Sequence, residues 1–178
     1  LAPACYTSDA TDVAVGMSVL NALISPIGAA TPRFFHDGPT ADDGWVSAPL
    51  ILPPFTNSTP VSALIDGLAP GTLYHCCIIA SNAAATVQGQ DVTFTTGLVP
   101  PSLLTLEASN IELSSAVLRA SVSTQGAVTA YFEYGLTTNY GLFSETNALG
   151  AATTSPVEFA VAMPISGLAP GTAYHYRI

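Results

Sequence analysis

Nine residues occur twice in this chain, and they constrain its fold more than any other feature. Residues 67–75 read Gly-Leu-Ala-Pro-Gly-Thr-Leu-Tyr-His, and residues 167–175 read Gly-Leu-Ala-Pro-Gly-Thr-Ala-Tyr-His. An alternating apolar run precedes each copy (Val61, Ala63, Ile65; Val157, Phe159, Val161, Met163, Ile165), and a further short run starts at His75 and at His175. Alternation with period two is the pattern of a half-buried strand. Proline fixes φ and glycine permits a tight reversal, so each copy reads as strand, corner, strand. In β-sandwiches a tyrosine at the start of the second strand bonds back to such a corner. Tyr74 and Tyr174 are therefore assigned as structural tyrosine corners.

The repeat extends well beyond the nine residues. Residues 9–36 overlay 107–134 without a gap, matching Val19-Leu20 with Val117-Leu118, Gly28-Ala29 with Gly126-Ala127 and Phe34 with Phe132. Self-similarity at this spacing predicts two domains, 1–98 and 99–178, joined by a short linker over 95–101 that Pro100-Pro101 holds extended. Within each the pattern predicts strands A (4–8 and 102–106), B (17–25 and 115–123) and C (31–37 and 129–135). A C′ segment (45–52 and 140–146) and strand E (60–66 and 157–165) follow, with F starting at the corner tyrosine. A strand G over 90–96 is present in the first repeat only. The expectation is all-β: two tandem sandwiches, the second truncated within strand F, its last strand supplied further along the natural chain or by a neighbour. No stretch has the period and length of a helix.

The charge balance narrows the partners. Twelve acids face three arginines and no lysine, giving a net charge of −9. Binding to nucleic acid or to an anionic membrane surface needs a basic patch, so neither is expected. With only 8% charged residues, the composition suits an extracellular domain, a glycan-coated stalk or a subunit covered by neighbours. Cys5, Cys76 and Cys77 lack the spaced pairs of a zinc site. All three fall in the first repeat, which suggests a disulfide from Cys5 to Cys76 or Cys77 in an oxidising compartment.

The repeated nonapeptide, the Tyr131-Phe132-Glu133-Tyr134-Gly135 run, Ser81-Asn82-Ala83 and Thr93-Phe94-Thr95-Thr96 together resemble bacterial fibronectin type III-like repeats, over nearly the whole chain. The resemblance implies immunoglobulin-like β-sandwiches, which serve as spacers, adhesive units and enzyme appendages. On strand F of the second repeat, Arg177 is expected to point outward beside Glu133 and to pair with it across the strands. The gapless overlay puts Phe35 at the place of Glu133, and the offset of 100 that aligns Tyr74 with Tyr174 puts Cys77 at the place of Arg177. Phe35 and Cys77 are read there as an apolar interface patch on an exposed sheet face.

Few residues suggest chemistry. His75 and His175 follow the corner tyrosine in both repeats, which points to a fold role, and no nucleophile–base set can be assembled with His36 or the serines. Asp37, Asp42 and Asp43 form the one acid cluster. Hard oxygen ligands could hold calcium there, but the spacing fits no EF-hand and an acidic turn is the simpler reading. Trp45, Leu50, Leu52 and Phe55 lie in the most apolar stretch outside the expected cores, read either as the C′–E crossing or as a contact surface. No catalytic, cofactor-binding or metal-binding residue is assigned, and no cofactor is expected. The sequence predicts a non-enzymatic extracellular or cell-surface segment: a spacer, adhesin stalk or filament building block. Its expected partners are other copies, neighbouring repeats or a surface ligand such as a glycan. The alternative is an accessory module of a secreted carbohydrate-active or other hydrolytic enzyme.

Overall fold

The computed structural model describes residues 1–42, 44–150, 153 and 155–178, so Asp43 of the acid cluster lies outside the described residues. The chain forms two compact units, Leu1–Gly97 and Leu98–Ile178. All described regular structure is β.

The first unit contains β1 (Ala4–Thr11), β2 (Met17–Ser25), β3 (Thr31–Gly38), β4 (Trp45–Val46), β5 (Leu50–Leu52), β6 (Thr59–Asp66), β7 (Leu73–Ser81), β8 (Thr86–Gln88) and β9 (Val92–Thr95). One sheet runs β1-β2-β6. The other runs β4-β3-β7-β8, with β5 also on β3 and β9 also on β7. The sheets enclose a core of Leu20, Ile24, Phe35, Tyr74, Ile78 and Phe94. The stretch read as C′ is broken into β4 and β5. Prolines at 49, 53 and 54 bracket β5 and hold it to three residues, since proline cannot donate to a ladder. Strand G is likewise broken, and its first half was not read from the sequence. Gly89 separates β8 from β9 where a Cβ would come within 2.5 Å of Thr7 Oγ1.

The second unit contains β10 (Ser102–Ser109), β11 (Ser115–Thr124), β12 (Val128–Ala130), β13 (Glu133–Gly135), β14 (Leu142–Phe143), β15 (Asn147–Leu149), β16 (Val157–Ser166) and β17 (His175–Arg177). Its sheets run β10-β11-β16, β12-β15 and β14-β13-β17. Leu118, Val122, Phe132, Val161, Met163 and Ile165 form the core. The single strand expected over 129–135 is here two, β12 and β13. In both units the first strand carries an irregularity in its register near its end, between Ser8 and Thr11 and between Leu106 and Ser109. Just beyond it, Asp12 (φ 50) and Asn110 (φ 47) take the left-handed conformation that Asp and Asn tolerate best.

The structure corrects the overlay at β3. The offset of 98 holds in β1 and β2, where Thr11 pairs Val19 and Ser109 pairs Val117. It becomes 97 in β3. Ser47 Oγ accepts from Phe35 N–H at 2.8 Å, and Ser144 Oγ accepts from Phe132 N–H at 2.9 Å. Phe35, not Phe34, is thus the counterpart of Phe132, and both are fully buried. The residue opposite Cys77 is His36, as Glu133 is opposite Arg177. A one-residue slip moves every side chain of a strand to the other face, so Phe35 belongs to the core. Cys77 is buried too, at 3% exposure. The apolar interface patch of Phe35 and Cys77 does not exist as a free surface.

Candidate functional site

Both corners close in the same way. Ala69 N–H donates to Tyr74 Oη at 2.9 Å, and Ala169 N–H donates to Tyr174 Oη at 3.0 Å. The first corner has a second tie. Thr96 Oγ1 accepts from Thr72 N–H at 2.9 Å and donates to Ala69 O at 2.7 Å, fastening the turn to the residue after β9. Gly67, Gly71, Gly167 and Gly171 all have positive φ, which is why both copies need glycine at the ends of the Leu-Ala-Pro corner. The conserved-looking letters of the nonapeptide are therefore consumed in shaping a turn.

The outer face of β17 carries a charged cluster. Arg177 Nε donates to Glu133 Oε2 at 2.7 Å, and the guanidinium lies 4.7 Å from the centroid of the Tyr140 ring. The hydrogen bond to Glu133 is the main reason the Arg177 pKa is raised. In the first unit His75 meets Asp91 at 2.7 Å.

All three cysteines are free thiols, so the Cys5 pairing is not formed. Cys76 faces the core, whereas the Cys77 sulfur accepts from Gln88 Nε2 at 3.1 Å. Cys5 is on β1, its thiol directed at Ile78 O on β7 and Val87 O on β8. Burial is the main cause that raises all three thiols. Cys76 is pushed up to about 12, with Cys77, Asp37 and Asp91 adding to the effect. Such thiols are poor nucleophiles.

The remaining apolar candidates divide. Trp45, Leu50 and Phe55 are exposed by half or more, while Leu52 packs partly against the core. Trp45 stands on the rim of a cleft of ≈ 510 Å³ at one side of the first sandwich. Asp37 forms the inner wall, paired in register with Trp45 on β4 and with Cys76 on β7. Ile65, Asp66, Leu68 and Tyr74 complete the lining. Gly44 lets the β3–β4 turn fold onto this wall, since a Cβ there would lie 1.6 Å from Asp37 O. Asp37 is only 3% exposed, and burial raises its carboxyl above the ordinary value, with His36 opposing. Asp42 is exposed, so the acid cluster of the sequence is split. Among the described residues no three His, Cys, Asp or Glu side chains gather as metal ligands.

The inward carboxyl was missed in the sequence. The signal was available: Phe-x-x-Gly occurs at 35–38 and at 132–135. Aligned on it, Asp37 falls on Tyr134, a residue that packs against the second core. Arg33 falls on the core residue Ala130, and its buried Nε has no hydrogen-bond partner among the described residues.

The strand order of the first unit, three strands against a sheet built on β3 and β7, together with a corner in each unit, decides the architecture. It is fibronectin type III-like. Among solved structures the chain is similar to a segment of two fibronectin type III domains from chicken tenascin. The identity is 16%, 99% of this chain and 89% of that chain are covered, and the TM-score is 0.37. It is also similar to the FN1–FN3 domains of chicken CNTN1, at 14% identity, 97% and 58% coverage and a TM-score of 0.29. No family model matches the sequence. No curated protein matches it either.

Proposed function

We propose that this chain is a non-catalytic structural or adhesive segment of an extracellular protein, acting as a spacer, stalk or filament unit. The observation that carries the reading is the duplicated corner. The residues repeated most faithfully between the units are those that fasten strand to turn, Tyr74 to Ala69 and Tyr174 to Ala169. A chain whose repeated residues hold shape is suited to bearing length or load. The low charge and the acidic balance fit a surface-exposed role.

Two measurements test it. Pulled end to end as a single molecule, the chain should lengthen in two discrete steps of about 25–30 nm each, one per unit. Antibody raised against it should label intact source cells. Extension without discrete steps, or labelling only after permeabilisation, would overturn the reading.

A further inference from the structure

The Asp37 cleft has a feature that the spacer reading does not use. Asp37 occupies an inward position on β3 and is almost wholly buried. His36 favours its charged form, but burial outweighs that effect. A carboxylate held in this way is costly to keep charged. The second unit shows the alternative at the same place: Tyr134 fills the position, and the space beside it narrows to ≈ 330 Å³. Trp45 is 79% exposed, so its indole is not spent on packing.

We propose that the cleft binds the cationic head of a basic side chain, a lysine ammonium or an arginine guanidinium, presented by a partner protein. Asp37 at the inner wall and Asp66 at the rim supply the negative charge, and Trp45 a π face for the cation. Ile65, Leu68 and Tyr74 give the aliphatic stem an apolar channel. The volume suits a small ligand group. A net charge of −9 steers a basic partner toward this surface and repels an acidic one. A second copy is poorly equipped for the role. The chain has no lysine, Arg33 is buried and Arg177 is held by Glu133, which leaves Arg119. A neutral sugar fits less well, because it brings no positive charge to offset Asp37 and Asp66. The inference goes beyond the spacer reading and stands whether or not that reading holds.

Trp45 is the sole tryptophan, so intrinsic fluorescence of the full chain reports on this cleft. Titration with N-acetyl-lysine methylamide or N-acetyl-arginine methylamide should give a saturable change, half-complete on the order of millimolar. The uncharged N-acetyl-norleucine methylamide should give none, and added salt should weaken the response. Asp37→Asn should weaken binding about tenfold or more, while Asp91→Asn on β7's flank should not alter it. If Asp37→Asn does not fold, Trp45→Leu followed by calorimetry makes the same comparison and should show weakened binding. Absence of a saturable response to either cation, an equal response to the norleucine compound, or a response to a neutral disaccharide instead would overturn the proposal.

Discussion

Asp37 and Tyr134 occupy the same sheet position in the two units, one step from the paired residues His36–Cys77 and Glu133–Arg177. Where the second unit closes its sandwich edge with an aromatic ring, the first leaves a carboxyl and a cleft. The difference has measurable consequences for stability as well as for binding.

Burial raises the Asp37 pKa above its value in the unfolded chain. The contribution to stability is therefore fully present below the unfolded carboxylate pKa, about 3.9, and is lost as pH rises through the folded value. At neutral pH the ionised form burdens the fold. Asp37→Asn should accordingly stabilise the first unit at pH 7, and the gain should shrink on acidification toward pH 4. Urea unfolding at several pH values checks both the sign and the window.

The thiols act at the other end of the scale. Cys76 is raised from 9.0 to about 12, and Cys5 and Cys77 are raised as well. Between the unfolded and folded pKa the unfolded chain releases protons that the folded chain keeps, so stability falls as pH rises from about 9. Thermal melts of the wild type should drop in this range, and Cys76→Val should flatten the slope. In the native protein, a thiol reagent at pH 8 should react slowly with Cys76 and Cys77 and fully only after unfolding.

The register of β3 can be tested by a pair of substitutions. Phe35→Ala removes a fully buried ring and should cost about 3–5 kcal/mol. Phe34→Ala, on the partly covered outer face, should cost much less. Equal losses, read by denaturant midpoints, would contradict the observed register.

The corners should differ in weight. Tyr74→Phe removes the acceptor of Ala69 N–H in a part-buried bond and should cost about 0.5–1.5 kcal/mol. The Tyr174 bond is exposed to water, which can replace the lost acceptor, so Tyr174→Phe should cost less. Separate midpoints for the two units would show it.

Much of the fold was legible because it rests on local chemistry. The Pro-Gly corner, the period-two runs and the Glu133–Arg177 pair follow from residue types and short spacings. What was not legible depended on one turn. Between Ser25 and Thr31 the first unit carries one more residue than the second does between the equivalent Ser123 and Val128. A gapless overlay cannot register that insertion, and it therefore places Phe35 opposite Glu133 and turns it outward. The disulfide expectation failed for a related reason. Co-occurrence of cysteines in one repeat gives no information on which faces of β1 and β7 they occupy.

The irregular register near the ends of β1 and β10 has a consequence for how such a chain comes to be made. Each is the outermost strand of its three-stranded sheet, and like sandwiches tethered in one polypeptide meet at high effective concentration while they fold. An even outer strand would offer a template to the wrong neighbour, a recognised route to misassembly in repeat proteins. The bulge, sealed by left-handed Asp12 and Asn110, bends that template out of line. A variant with an even register there should mispair more often on refolding.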